Sequence, residues 1–293
     1  MKILITGCRG QLGNELTSVL SSGKSEIGAI PNELLGASVI PVDVDELDIS
    51  DYNAVLTFVS REKPDVIINS AAMTNVDGCE TMQDVAYKVN AAGVRNLAVA
   101  ADTVGAKFLH VSTDYVFAGD GTVPYCEWDK TDPKSVYGKS KALGETYALS
   151  FCKKSFIVRT SWLYGYIGKN FVKTVRRVMK ERGAMTVVND QRGNPTNAND
   201  LAHHILKLIV TNEYGIYHCT GKGECTWFDF AKEISRLSGF TGTVSPCTSE
   251  EYPSPVKRPA YSSLSHLALE NAVGDEMRDW KEALKEYILK VED

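Results

Sequence analysis

The chain has 293 residues, of which 43% are hydrophobic and 24% charged, close to the averages for a soluble globular protein. Lys and Arg total 32 against 37 Asp and Glu, a formal charge of −5 that excludes a large basic surface for nucleic acid. The length allows one large domain or two smaller domains that share a cleft. An anionic ligand would therefore need a local basic site.

The first apolar run is too short for a signal-peptide core or a membrane span, because Gly7 interrupts it. Seven cysteines are scattered and form no Cys-x-x-Cys pair, a pattern typical of reduced thiols rather than disulfides. The five histidines show no metal-ligand spacing. We therefore expect a cytoplasmic protein with no membrane contact, no nucleic-acid partner and no structural zinc.

The first half of the chain alternates short apolar runs with longer helical patterns, which indicates β-α-β units and a parallel sheet. The runs are almost continuously apolar, as expected for strands that helices cover on both faces. Apolar residues three and four apart predict the intervening helices. The predicted strands are 2–6, 38–42, 65–69, 107–112 and 155–160, and the predicted helices are 11–20, 51–61, 83–104 and 135–151.

Beyond residue 160 the alternation is less regular. Residues 241–259 include four prolines and are predicted to be mostly loop, before a closing amphipathic helix over 277–291. The whole pattern predicts an α/β fold, a Rossmann-like doubly wound parallel sheet followed by a smaller α/β C-terminal domain. The other elements predicted in this half are helices at 170–182, 200–211 and 226–238, and strands at 185–188 and 215–219.

Three glycines, Gly7, Gly10 and Gly13, follow the first predicted strand at intervals of three and open the first helix. Glycine permits a tight turn and a close approach of the backbone to a pyrophosphate, while the helix N-terminus offers unpaired N–H groups. A glycine-rich turn alone is weak evidence, but this context predicts dinucleotide binding. The expected cofactor is a nicotinamide nucleotide, NADPH or NADH.

The end of the second strand bears on the choice between the two nucleotides. Asp43 stands where adenosine ribose hydroxyls would lie and favours NADH, whereas Arg9 could meet the 2′-phosphate of NADPH. The sequence leaves this preference open. Asp48 and Ile49 are typical of a pair that brackets an adenine, although a solvated turn has the same pattern. Small residues after the third strand would let the cofactor approach: Ala72, Met73 and Thr74.

Tyr137 and Lys141 stand four residues apart, on one face of the predicted helix 135–151. A phenol has a pKa near ~10, so a tyrosine that acts near neutral pH benefits from a cation that stabilises its phenolate. Lys141 can supply this charge and could also hydrogen-bond the nicotinamide ribose. Ser112 or Thr113 could hold a carbonyl oxygen as negative charge develops. A solvated helix face and ordinary turn residues are the alternative explanations.

These motifs together resemble the extended short-chain dehydrogenase/reductase family. Residues 159–164 (Arg-Thr-Ser-Trp-Leu-Tyr) and 190–196 (Asp-Gln-Arg-Gly-Asn-Pro-Thr) are more specific, and are similar to the dTDP-4-dehydrorhamnose reductases of that family. The resemblance extends over nearly the whole chain. It implies reduction of the C4 keto group of dTDP-4-dehydro-β-L-rhamnose to dTDP-β-L-rhamnose by NADPH or NADH. We accordingly predict a dinucleotide-binding domain over 1–160, rejoined by parts of 198–222, and a mainly substrate-binding domain over 161–293.

The resemblance also implies roles for individual residues. Thr113, Tyr137 and Lys141 would be the catalytic hydroxyl, proton donor and lysine. Thr113, Asp114 and Trp162 would contact the sugar, although Trp162 could equally be a core residue. Arg258 is a candidate for the substrate pyrophosphate because a guanidinium suits phosphate oxygens, with a surface arginine as the alternative. The expected cofactor contacts are Gly7, Gly10, Gln11, Leu12, Gly13, Asp43, Asp48, Ile49, Ala72, Met73, Thr74, Val111, Tyr137 and Lys141.

Some members of this family dimerise through a magnesium site built from glutamates. Glu15 matches one of these glutamates, but Asn199 stands where another would be expected, which removes a negative ligand that a hard cation prefers. We predict weak or absent magnesium dependence and assign no residue as a metal ligand. A homodimer is compatible with the resemblance.

Two other functions share these motifs. One is a different sugar-nucleotide reductase, epimerase or dehydratase on the same fold, although residues 190–196 argue against a dehydratase. The other is a non-catalytic regulatory subunit resembling that of methionine adenosyltransferase, although the intact Thr113, Tyr137 and Lys141 favour an enzyme. The resemblance further implies that the product feeds polysaccharide biosynthesis.

Overall fold

The computed structural model describes residues 1–291, so the last two residues of the predicted second domain lie outside the described part. Its strands are β1 (Lys2–Thr6), β2 (Ser38–Val42), β3 (Val66–Asn69), β4 (Lys107–Thr113), β5 (Ser155–Thr160), β6 (Leu163–Tyr164), β7 (Ala184–Val188), β8 (Arg192–Gly193), β9 (Thr196–Asn197), β10 (Gly215–His218), β11 (Cys225–Thr226) and β12 (Thr243–Cys247).

Its α-helices are α1 (Gln11–Ser22), α2 (Tyr52–Glu62), α3 (Val76–Thr81), α4 (Gln83–Tyr87), α5 (Val94–Val104), α6 (Val136–Phe151), α7 (Phe171–Arg182), α8 (Ala198–Ile209), α9 (Trp227–Leu237), α10 (Leu267–Val273) and α11 (Trp280–Lys290). A π-helical stretch, Lys88–Gly93, joins α4 to α5, and short 3-10 turns lie at Asn32–Leu34 and Asp114–Val116.

The central sheet has the strand order β10-β5-β4-β3-β1-β2, and every neighbouring pair is parallel. This confirms the predicted Rossmann-like α/β class. Because β2 and β3 lie on opposite sides of β1, the connections that leave β1 and β3 diverge and open a crevice at the carboxyl edge. In that register Thr6 lies beside both Val42 and Asn69, so the ends of three strands meet at the crevice.

Apolar clusters cover both faces of the sheet. On one face α1 and α8 pack together, with Leu16 and Leu201 fully buried. On the other face α2, α5 and α6 pack on the sheet around Val59, Leu97 and Phe108. Although α8 and β10 come late in the chain, both lie with the first-half elements. The division into two domains stays a prediction.

The remaining elements form a third apolar cluster in which α7, α9 and α11 pack around Phe230, Trp280 and Tyr287. The predicted loop over 241–259 needs correction, because it contains β12, which pairs in parallel with β7. Pro246 lies within this strand, which is possible because β12 has only one partner strand. Prolines are therefore a poor signal against a strand at the edge of a small sheet.

The predicted helix 83–104 also differs from the structure, since its middle is π-helical. This stretch carries Asn90, whose amide oxygen accepts the Met73 N–H at 2.8 Å and whose amide nitrogen donates to Ser140 Oγ at 3.1 Å. Single π-helical turns often occur at functional sites. Here the turn ties the strand-end loop after β3 to helix α6.

Two general expectations concern the chain as a whole. All seven cysteines are free thiols. Among residues 1–291, no helix combines the length and apolar character needed to cross a membrane.

Candidate active site

The glycine turn connects β1 to α1 and faces the crevice. Gly7 has φ +69°, and a Cβ on Gly13 would lie 2.2 Å from the Gly7 carbonyl oxygen, so a side chain cannot be accommodated there. Gly10 precedes the first turn of α1 without a side-chain cap, which leaves N–H groups of that turn free for an anion. The turn is thus shaped to let backbone approach a diphosphate.

A cavity of about 830 Å³ lies at the carboxyl edge of the sheet and continues from this turn towards α6. It brings together residues from the ends of β1 to β5, as expected for a ligand site in an open parallel sheet. Met73 and Arg258, which were also predicted, do not line it. The predicted residues that do are Gly7, Gly10, Gln11, Leu12, Gly13, Asp43, Asp48, Ile49, Ala72, Thr74, Val111, Thr113, Asp114, Tyr137, Lys141 and Trp162.

At one end of the cavity, Asp43 is held by backbone. Its two carboxylate oxygens accept the N–H groups of Arg9, at 3.0 Å, and Val44, at 2.9 Å. The Arg9 guanidinium pairs with the exposed Asp45 and Glu46. Both groups that bear on the nucleotide preference, Arg9 and Asp43, therefore lie together at this end of the cavity.

Gln11 joins the glycine turn to the second half of the chain. Its side-chain oxygen accepts the Gly165 N–H at 2.9 Å and a hydrogen bond from Asn170 Nδ2 at 3.0 Å. Leu12 is buried in the first apolar cluster. The first turn of α1 is thus fixed from both sides.

Tyr137 lies in the first turn of α6, which begins at the N-cap Ser135. A Cβ on Gly138 would lie 2.2 Å from the Tyr115 carbonyl oxygen, so glycine lets α6 approach the 3-10 turn after β4. The two tyrosine rings meet edge to face with centroids 5.5 Å apart. Burial raises the pKa of Tyr137, while a hydrogen bond with Thr113 opposes the rise. The phenol therefore holds its proton and can act as a donor.

Lys141 follows one turn later, and only 2% of its surface is exposed. Its Nζ donates to the Val111 carbonyl oxygen at 2.6 Å. Burial lowers the pKa of Lys141 to about 8, and the negative charge of Glu145 opposes this. Thr113, Tyr137 and Lys141 thus converge at the cavity.

Asp114 follows Thr113 and is 2% exposed. Its Oδ1 accepts a hydrogen bond from Thr113 Oγ1 at 2.9 Å, whereas its Oδ2 has no hydrogen-bond partner. Burial raises the pKa of Asp114 to about 6, and the hydrogen bond from Thr113 opposes the rise only in part. A buried oxygen without a partner beside the cavity is suited to accept a ligand hydroxyl.

The opposite wall carries two tryptophans from distant parts of the chain. Trp162 has φ +45°, unusual for a bulky residue, and stacks on Trp227 with ring centroids 3.6 Å apart. A Cβ on Gly193 would lie 2.8 Å from the Trp162 indole, so the 190–196 segment also fixes this ring. Sequence reasoning missed Trp227, because no local pattern marks a stacking partner on another helix.

The two predicted residues outside the cavity lie near it. Met73 packs in a small apolar cluster that includes Tyr137. Arg258 lies 3.1 Å from the Asp77 carboxylate, with its guanidinium 3.5 Å from the Tyr115 hydroxyl. Arg258 is therefore paired within the chain, and pyrophosphate binding stays a prediction.

The residues named for magnesium contact each other. Asn199 Nδ2 donates to Glu15 Oε2 at 2.8 Å, and Asn199 Oδ1 accepts the Glu26 N–H at 2.7 Å. Burial raises the pKa of Glu15. Within residues 1–291, no group of three or more His, Cys, Asp or Glu side chains is placed to hold a metal ion.

A parallel sheet with a glycine turn after its first strand, and a Tyr-x-x-x-Lys helix at its carboxyl edge, defines an oxidoreductase of the extended short-chain dehydrogenase/reductase type. The chain belongs to the family described as RmlD substrate binding domain, whose model matches residues 1–292. A relative from Bacillus subtilis (strain 168), the spore coat polysaccharide biosynthesis protein SpsK, is 42% identical, with 98% of this chain and 96% of the relative covered.

Two solved structures are similar over the whole length. A dTDP-4-dehydrorhamnose reductase from Clostridium acetobutylicum ATCC 824 is 50% identical, with a TM-score of 0.92 and 98% of each chain covered. A dTDP-4-dehydrorhamnose reductase from Bacillus anthracis str. Ames, solved in complex with NADP, is 41% identical, with a TM-score of 0.92 and 99% of each chain covered.

Proposed function

We propose that this protein reduces the C4 keto group of dTDP-4-dehydro-β-L-rhamnose to the hydroxyl of dTDP-β-L-rhamnose, with NADPH or NADH as the reductant. The observation that carries the proposal is the convergence of Thr113, Tyr137 and Lys141 on a cavity that continues to the glycine turn. The names of the similar solved reductases support the same substrate.

The nucleotide fits the residues present. The glycine turn and the uncapped start of α1 would hold its diphosphate, and Lys141 would hold the nicotinamide ribose. The other contacts would come from the strand ends around Asp43, Ile49 and Val111. When bound, the reduced nicotinamide supplies the hydride for the sugar carbon.

The chain's own residues supply the proton and support the oxygen. Tyr137 donates its phenolic proton to the C4 oxygen as negative charge develops there. Thr113 turns its one hydroxyl proton from Asp114 Oδ1 to the same oxygen, while a cationic Lys141 stabilises the phenolate that Tyr137 becomes. Asp114 Oδ2, which lacks an internal partner, accepts a sugar hydroxyl.

The rest of the substrate serves as a handle. Trp162, stacked on Trp227, offers a flat apolar wall for the sugar ring. Arg258 would leave Asp77 to pair with the diphosphate. Binding energy from the nucleotide part positions the keto group without taking part in the chemistry.

A role in polysaccharide biosynthesis follows from this product. The free thiols support a cytoplasmic location.

The proposal is tested by following the absorbance of the reduced nicotinamide with Tyr137→Phe. We expect kcat to fall about 10²–10⁴-fold while nucleotide binding is kept, because only the proton donor is lost. Tyr147→Phe, on the same helix but outside the cavity, is the matched control and should keep full activity. If the wild-type protein binds nucleotide but reduces no keto sugar with either nucleotide, the regulatory-subunit alternative replaces the reductase.

A further inference from the structure

Lys141 reaches the sheet beneath the cavity, where it contacts a second buried group. Its Nζ lies 3.3 Å from Nε2 of His110, in addition to the hydrogen bond with the Val111 carbonyl. His110 is fully buried in the middle of β4 and does not line the cavity. The lysine is therefore held by a histidine that the proposed reaction does not use directly.

Asn69 lies next to His110, and its neighbours fix which atom of its side-chain amide is the oxygen and which is the nitrogen. Asn69 Oδ1 accepts the Ala71 N–H at 3.1 Å and the Thr6 hydroxyl at 2.7 Å. A backbone N–H can only donate, so this atom must be the amide oxygen. Asn69 Nδ2 then faces His110 Nδ1 at 3.0 Å and is the donor of that hydrogen bond.

This order determines where the imidazole proton lies. Since Nδ1 of His110 accepts from Asn69, a neutral ring carries its proton on Nε2. That N–H points at Nζ of Lys141. An ammonium group has three donors and no acceptor, whereas a neutral amine can accept one hydrogen bond and still donate to Val111.

We propose that His110 is a positioning residue for Lys141, and that the Asn69–His110 hydrogen bond favours the neutral amine form of Lys141 in the ligand-free protein. The proposal deepens the proposed function and rests on it for the role of Lys141. Ligands that enter the site then favour the cationic Lys141 that the proposed reaction requires, and near pH 8, where part of the free protein holds the neutral amine, their binding takes up protons from solvent.

The electrostatic surroundings agree in direction. Of the ionisable groups near Lys141, His110 of β4 contacts it and Glu145 of α6 acts on it through its charge, while Asp114 and Tyr137 line the same cavity. Burial lowers the pKa of His110 well below its usual value, so the ring stays neutral. Burial also lowers the pKa of Lys141, and Glu145 opposes this only in part because its carboxylate is paired with Arg159.

The test is an NMR titration of the ligand-free protein, with ¹³C at the lysine Cε atoms and ¹⁵N in the histidine rings. Lys141 is assigned by the signal that disappears in Lys141→Met. We expect Lys141 to titrate near pH 8, about two units below an ordinary lysine, and His110 to carry its proton on Nε2. An ordinary lysine titration, or a proton on Nδ1 of His110, would overturn the proposal.

Two variants separate this role from simple packing. Asn69→Asp can accept from Nδ1, which turns the imidazole into an acceptor for an ammonium, and His110→Gln can offer its carbonyl oxygen without added charge. Each should raise the pKa of Lys141 by about one unit or more. A histidine that only fills space predicts lower unfolding temperatures and an unchanged lysine pKa.

The two proposals fail in different experiments. The titration needs neither nucleotide nor sugar, so an inactive protein that shows the expected lysine and histidine states would refute only the proposed reductase activity. An active reductase with an ordinary Lys141 titration would refute only the inference. If neither variant folds, the wild-type tautomer and titration still decide.

Discussion

The nucleotide-binding region around β1 to β5 and the region around α7, α9 and α11 are built in different ways. In the first, site residues stand at the carboxyl ends of neighbouring parallel strands, and a helical segment follows each of β1 to β4. In the second, very short strands pair across the chain, and stacked aromatic rings form the wall of the cavity. Strand ends can be located from local sequence patterns, whereas a stacked wall cannot.

The largest expected effect is a loss of stability, when a buried charge beneath the first region is removed. Glu145 makes a two-pronged ion pair with Arg159, whose side chain is 3% exposed. Glu145→Gln should lower the free energy of unfolding by about 3–5 kcal/mol, because it leaves a buried guanidinium without its counter-charge. Urea denaturation measures the change.

Glu181→Gln is the matched control for that variant. Glu181 pairs with Arg177 one turn away on the surface of α7. We expect a change below about 1 kcal/mol, since exposed pairs are screened by solvent. A similar loss of unfolding free energy in both variants would mean that burial does not make the Glu145–Arg159 pair more important for stability.

A smaller effect is expected for the aromatic wall. It should weaken binding of the sugar nucleotide and leave binding of NADPH unchanged. Trp227→Leu removes the ring on which Trp162 stacks, and such contacts are worth about 0.5–1.5 kcal/mol. The KM for the sugar nucleotide should rise up to about tenfold, while the Kd for NADPH, measured by fluorescence, stays unchanged. Trp128→Leu, at a site 69% exposed, is the control and should change neither constant. A weaker Kd for NADPH in Trp227→Leu would contradict the separation of the two regions.

The smallest effect is expected from removal of magnesium. This prediction concerns the contact between Glu15 of α1 and Asn199 of α8. Because the Asn199 amide donates to Glu15, the site lacks the second carboxylate that magnesium prefers. Chelation by EDTA should leave both activity and the light-scattering mass unchanged. Asn199→Glu supplies the missing carboxylate and serves as the positive control, whose oligomeric state should respond to magnesium. Dissociation of the wild-type protein by EDTA would show that this reasoning is wrong.

Much of the fold could be predicted because the first region repeats one unit. All five predicted sheet strands of the first half are present, and the class of fold is confirmed. The strand β12 and the π-helical stretch were not predicted, because each depends on a partner elsewhere: β7 for the strand, and Met73 and Ser140 for Asn90. Local patterns carry no information about such partners.

The candidate site shows the same division. The glycine turn, Tyr137 and Lys141 follow from motifs whose spacing is local. His110 could not be predicted, since a histidine within an apolar strand gives no sign that it meets a lysine from a helix. Trp227 and the ion pair of Arg258 with Asp77 are likewise products of packing between distant segments.

The central claim is that a nicotinamide nucleotide bound in the cavity at the carboxyl edge supplies a hydride to the sugar carbon, while Tyr137 supplies the proton. It is tested most directly with NADPH deuterated at the transferred position, dTDP-4-dehydro-β-L-rhamnose and NMR of the product. We expect deuterium bound to C4 of dTDP-β-L-rhamnose with the wild-type protein, and almost no product with Tyr137→Phe. Product that forms without deuterium at C4, or equal turnover by Tyr137→Phe, would contradict the account.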